Sequence, residues 1–244
     1  MMHKIILIFT AFVMFVLLSC NKETSNPVVT NPNDTTNVDT TDPVSTNPIQ
    51  WSFVGNINHD TWTPGQEAKV IFDRFPKTTQ EFKELQDKMG KEPQGAVALE
   101  IMAMEMYRRN VSIGTECIKL ANLSINVNSI LNRLKELFGK DVNYARPYQM
   151  ACFLLGSSPE NGYNPSKPYT IEVKVNPTNQ YENSAQFESK FLHLLIKSNG
   201  HDNAQQIVTI IKPAGSPNFL VSNCPGLYYQ CKKIGYGQTF NGLN

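Results

Sequence analysis

The chain has 244 residues, with 22 Lys and Arg against 21 Asp and Glu, and 41% of it is hydrophobic. This near-neutral balance, without any Lys/Arg-rich run, argues against a nucleic-acid ligand. One long apolar run stands at the N-terminus, and no second segment has the length or composition of a membrane span.

That run extends from Ile5 to Leu18 and is preceded by Lys4. As a helix at about 1.5 Å per residue it covers roughly 21 Å, short of a ~30 Å hydrocarbon core, so it reads as a cleaved export signal rather than an anchor helix. Its ending, Leu17-Leu18-Ser19-Cys20, resembles the bacterial lipobox. The resemblance implies that residues 1–19 are a signal peptide and that Cys20 is lipidated and becomes the first mature residue. Acyl chains there would hold the protein on a membrane. Removing residues 1–19 takes away one lysine and no acid, leaving 21 basic against 21 acidic groups. From Cys20 to Pro48 the chain is mostly Asn, Thr, Pro and Asp, too poor in apolar residues to offset its ordering entropy. We read it as a tether with a typical reach of about 30 Å. Asn21-Lys22-Glu23 resembles the tag that sends some lipoproteins to the outer face of the outer membrane, which implies surface exposure.

Residues 49–244 are long enough for one sizeable core, and we expect a single domain. Trp51–Val54 and Lys69–Phe72 are candidate strands at its front. Thr78-Thr79-Gln80-Glu81 has capping-box spacing, Phe82, Leu85 and Met89 follow at helical intervals, and Gly90 supplies a stop. Pro93 opens a second helix so rich in apolar positions up to Tyr107 that it must be covered on most sides. Ile113, Cys117 and Leu120 mark a third helix, and Val127, Ile130, Leu134 and Leu137 a fourth. A short fifth is predicted over 146–156.

The period then changes. Ile171, Val173 and Val175 alternate with Glu172 and Lys174, as in a strand with one solvated face. Phe191–Lys197 and Ile207–Lys212 flank a turn-rich Ser198–Asn203 stretch and predict an antiparallel hairpin. Phe219–Ser222 and Tyr228–Ile234 would continue the meander. The expected fold class is α+β, an N-terminal helical cluster of about five helices packed on a C-terminal antiparallel sheet or small open barrel.

Four stretches carry a family resemblance: Phe75-Pro76 to Lys83, Pro93-Gln94-Gly95-Ala96-Val97-Ala98-Leu99, Met104-Glu105-Met106-Tyr107-Arg108-Arg109, and Arg146-Pro147-Tyr148 through Ser158-Pro159-Glu160-Asn161-Gly162-Tyr163 to Tyr169. Over roughly Ile71 to Val221 the chain resembles a bacterial domain family of unknown function, many of whose members are exported or lipid-anchored. The resemblance supports one domain and implies no activity.

The chemistry-bearing residues are few. After Cys20, four cysteines remain, and four allow three pairings. Cys224 and Cys231 enclose a turn-like Pro225-Gly226-Leu227 and form a candidate disulfide, whereas Cys117 and Cys152 sit on apolar faces and read as buried thiols. No Cys-x-x-Cys or His-x-x-x-His spacing suggests a metal, no Gly-x-Gly-x-x-Gly suggests a cofactor, and no nucleophile elbow, P-loop or zincin motif marks a catalytic residue. At about 100° per residue, Glu105, Arg108 and Arg109 share the polar arc of the second helix, with the two arginines expected as a solvated helix end. Glu100 projects from the apolar side, and a buried carboxylate must find partners or take up a proton. Arg146, Tyr148 and His193 complete a speculative buried polar site around it. The polar loop Ser157–Pro165 reads as a rigid helix-to-strand connection, or alternatively as the rim of a binding site; the aromatics Trp51, Trp62, Tyr163, Tyr228 and Tyr229 would suit stacking on sugar rings, or else belong to the core and ordinary surface.

Three classes of function stand open. The first reading is a non-catalytic envelope lipoprotein, membrane-bound through its lipid and binding an unidentified protein or glycan. A carboxylate-dependent hydrolase is the second, and a glycan-capture lipoprotein the third.

Overall fold

Alternation of apolar and polar residues builds a six-stranded antiparallel sheet whose spatial order is its chain order. A computed structural model describes residues 47–177 and 191–244, and these fall within one compact unit. The lipobox, Cys20 and nearly all of the tether lie outside the described residues. In chain order the elements are β1 (Trp51–Gly55), β2 (Glu67–Phe72), α1 (Thr79–Met89), α2 (Pro93–Arg109), α3 (Val111–Ala121), α4 (Val127–Leu137), β3 (Tyr169–Val175), β4 (Leu192–Lys197), β5 (Gln205–Ile211) and β6 (Leu220–Asn223). The architecture is thus α+β, with four α-helices and a six-stranded sheet among the described residues.

Register decides which face is apolar. Val70 pairs with Ile171 and Leu194 with Val208, so the buried residues of neighbouring strands fall on one side. Lys69, Glu172 and Lys197 stand on the other, where Glu172 accepts from both lysines at 2.7 Å. The expected hairpin over 191–212 is present as β4 and β5. All four helices lie between β2 and β3 in sequence, so two strands precede them rather than the whole sheet following them.

Helix α2 is the centre of the molecule. Every residue from Pro93 to Tyr107 is buried, and the helix packs on β2, β3, β5 and β6 as well as on the other helices. Its neighbour α3 comes so close that a Cβ on Gly114 would lie 2.0 Å from the Tyr107 Cα, and only glycine permits that approach. Thr78 caps α1, its Oγ1 accepting from the Glu81 N–H at 3.1 Å. The carboxylate of Glu81 accepts from the Lys77 N–H at 2.7 Å and from Arg74 at 2.6 Å, anchoring the helix to the segment leaving β2.

Two local expectations are corrected. The fifth helix over 146–156 is a single 3₁₀ turn, Met150–Phe153. Pro147 disfavours helix at Arg146, and the Arg146 and Gln149 side chains are drawn to a distant segment instead. Tyr228–Ile234 is not a strand, because side chains rather than a neighbouring strand take its backbone groups. Of the two expected alternatives it is the antiparallel sheet that forms, with β1 and β6 at opposite ends of the strand order.

Candidate functional site

The four residues of the speculative buried site do not come together. Glu100 is fully buried and accepts from Asn122 Nδ2 at 2.6 Å and from the Cys224 thiol at 3.7 Å. Burial pushes its pKa up to about 7, against the opposing pull of those two hydrogen bonds. Arg146 instead donates to backbone carbonyls, including Cys231 O and Ala145 O at 2.9 Å each. Tyr148 stacks on Tyr163 with centroids 4.9 Å apart. His193 lies on β4, its Nδ1 2.8 Å from Thr209 Oγ1 across the strand pair. Glu100 lies deep under the helices, and its partners are two residues the periodicity leaves unmarked for it, Asn122 and Cys224.

The Cys224–Cys231 pairing is corrected as well. All four described cysteines are free and buried. Cys224 turns to Glu100, whereas Cys231 lies beside Cys152 and Gly200: a Cβ on Gly200 would sit 2.8 Å from the Cys152 Cβ and 2.9 Å from the Cys231 Cβ. The turn Pro225–Leu227 forms as a 3₁₀ turn, but it sends the two thiols to different neighbours.

Glu105 shares no solvated arc. It is fully buried, accepting from Arg108 Nη2 at 2.7 Å and from Arg109 Nε at 2.9 Å. The same guanidinium groups cover the rings of Phe240 and Phe75, at 5.7 and 5.1 Å from the centroids, and Arg109 also donates to Leu243 O. The C-terminal segment folds over this end of α2 and excludes the water that the helical pattern predicts.

What these elements assemble is a cleft of about 650 Å³ between α4, the loop before the Met150 turn, the β4–β5 loop and the C-terminal segment. Its floor is held by Gln149, which is fully buried and donates to Leu227 O at 3.1 Å and Tyr229 O at 2.7 Å while accepting from the Cys231 N–H at 2.9 Å. One glutamine thus replaces the strand partner that residues 227–231 lack. Its only trace in the sequence is a polar residue inside the apolar stretch 147–155, too common a feature to predict such a role.

Four cations, Arg133, Arg146, Lys232 and Lys233, line the cleft with the tyrosines 144, 228 and 229. Asp202 is the acidic residue of the lining and is paired with Lys232 at 2.8 Å. Arg146 is itself buried, and each of its described hydrogen bonds goes to a neutral carbonyl, so its charge remains uncompensated by them. His201 lies at the wall between Ser198 Oγ, 2.6 Å from its Nδ1, and Tyr229 O, 2.8 Å from its Nε2. Only an Nε2–H can meet that carbonyl, so Nδ1 accepts from the serine hydroxyl. Burial holds the imidazole below its usual value, which agrees with the neutral tautomer. Ser198 is nearly inaccessible and also accepts from the Gly200 N–H at 3.2 Å; this pair braces the loop. Tyr229 is largely exposed at the rim, 6.2 Å from the His201 ring.

Among the described residues no group of three or more His, Cys, Asp or Glu could hold a metal ion, and no helix is long and apolar enough to cross a membrane. A family model described as a domain of unknown function (DUF6935) matches residues 74–235, a span that contains every residue lining the cleft. No curated protein and no solved structure matches the chain.

Proposed function

Because the chain belongs to the DUF6935 family, defined by a domain of unknown function, we propose a reading from the geometry of its cleft: a non-catalytic binding module for an acidic glycan, carried on a lipid-anchored envelope protein. The observation that supports it most is the lining, where Lys232 is paired with Asp202 and Arg133 with Glu136, Arg146 and Lys233 add positive charge, and tyrosines offer flat apolar surface. Anionic groups would be drawn by the unbalanced charge, and sugar rings would stack on the tyrosines. The cleft is open, and among its described residues no accessible nucleophile stands beside a base. Glu100, the carboxylate singled out for a hydrolase that could equally use another, lies outside it and is sealed from solvent.

Titrating the purified chain with an acidic polysaccharide in a calorimeter tests the binding. Saturable binding that weakens as salt rises is expected. Tyr229→Ala and Lys233→Ala should each weaken it about tenfold, equivalent to about 1.4 kcal/mol. Binding unchanged in both variants, or absent at low salt, would sink the reading.

The anchor at Cys20 and placement on the outer membrane belong to the same proposal, supported by the lipobox-like ending and the tether composition. Protease shaving of intact cells, with a periplasmic protein as intactness control, should remove the domain. Protection that is lost only on lysis would turn the cleft toward the periplasm and its components.

A further inference from the structure

We infer that Cys152 and Cys231 form an intramolecular disulfide when a disulfide-bearing oxidant reaches the cleft, tying the Met150–Phe153 turn to the C-terminal segment. The inference rests on the export reading for the supply of that oxidant, but its geometry stands without it. Gly200 lies between the two cysteines, and the position its absent Cβ would occupy is 2.8 Å from one cysteine Cβ and 2.9 Å from the other. Those distances keep the two Cβ atoms within about 5.7 Å of each other, a bound that includes the roughly 3.5–4.5 Å that a disulfide takes.

Both backbones are pinned there. The Cys152 carbonyl accepts from the Asn199 N–H at 2.8 Å. The Cys231 N–H donates to Gln149 Oε1 and its carbonyl accepts from Arg146 Nε, both at 2.9 Å. The Lys232 N–H bonds the Gly200 carbonyl at 2.7 Å. The Cys152 and Cys231 side chains are themselves hydrogen-bond neighbours. Cys224, by contrast, is turned to Glu100 and competes for neither.

Access differs in degree: both cysteines are buried, but Cys231 keeps 2% exposure and belongs to the lining of the cleft, whereas Cys152 has none. Cys231 therefore reacts first. Its thiolate attacks one sulfur of the oxidant and expels a thiolate, forming a mixed disulfide. Cys152 passes its proton to the thiolate just expelled and attacks the Cys231 sulfur, expelling the second thiolate, which takes up a proton in solvent. Two protein thiols are oxidised and one oxidant disulfide is reduced to two thiols.

The test uses the purified full chain carrying Cys20→Ser, so that the N-terminal thiol cannot compete, incubated with oxidised glutathione. After unfolding, the alkylatable cysteines should fall from the four described to two, with one cross-linked peptide containing Cys152 and Cys231. Cys231→Ser should leave three alkylatable thiols and no cross-link, and should remove the drop in thermal midpoint that a reductant causes in the oxidised parent. Four alkylatable thiols after oxidation, or a Cys224–Cys231 peptide, would overturn the inference. Acid-trapping the thiols in intact cells reports separately on export: a pair that joins in vitro but is found reduced in cells counts against the export reading and leaves the geometry standing.

Discussion

Glu105→Gln is expected to destabilise the fold by about 3 kcal/mol, the lower end of what removing one partner from a buried ion pair typically costs. The carboxylate has no solvent exposure and is shared by two guanidinium groups, whose side chains are only 21% and 23% exposed. A neutral amide cannot balance either charge, so both arginines must swing toward water. In doing so they leave the Phe75 ring, and they leave Phe240 and the Leu243 carbonyl, the contacts that fasten the C-terminal segment. Urea unfolding should show the midpoint falling with little change in slope. Hydrogen exchange should speed up first around 240–244. A loss within about 0.5 kcal/mol, the range of an ordinary surface substitution, would mean that the carboxylate is not buried as described.

Between about pH 4.5 and pH 7 the parent chain should lose about 3 kcal/mol of stability through Glu100 alone, and Glu100→Gln should abolish that loss. In the unfolded chain this carboxyl ionises near its ordinary value of 4.5, whereas burial in the folded chain raises it to about 7. Within that window the native state binds more protons than the unfolded one, so stability falls as pH rises. Below it both states are neutral and the contribution is complete; above it both are ionised and the deficit stays constant. A pKa difference of one between the folded and unfolded chains is worth about 1.4 kcal/mol. Glutamine keeps the shape and can still accept from Asn122, so the variant should match the parent at the acid end of the window and exceed it at the alkaline end. Taking the difference between the two unfolding series removes the contribution of every other titrating group. Parallel pH profiles would show that Glu100 is ionised throughout.

Both predictions rest on α2, only half of which is legible in the sequence. Its apolar density announces a central helix, and Glu100 stands out because a carboxylate among Met104, Tyr107 and Ile101 contradicts the pattern. Glu105 does not stand out, because a helical projection places it with Arg108 and Arg109 on one polar arc and contains no information about what folds over that arc. The covering residues, Phe240 and Leu243, are more than 130 positions away.

The same distinction separates the elements that are legible from those that are not. Thr78 capping α1, the alternation in β3 and the turn between β4 and β5 all depend on residues a few positions apart, whose geometry the backbone dictates. Tyr228–Ile234 carries a strand-like pattern, yet its backbone is claimed by Gln149 and Arg146. The pairing of Cys224 with Cys231 looks natural at short range, but Cys231 lies against Cys152 and Cys224 against Glu100. The cleft is invisible for the same reason, since its cations come from α4, the 144–146 loop and the C-terminal segment.

By itself, then, the sequence determined the four helices, the alternating strands and an α+β domain with a helix at its centre, because local periodicity and capping decide such elements before any long-range contact is made. Only the tertiary structure decided which carboxylates are buried, which thiols are neighbours and where positive charge gathers, because those properties depend on which distant segment excludes water from a given side chain, and no local pattern encodes that.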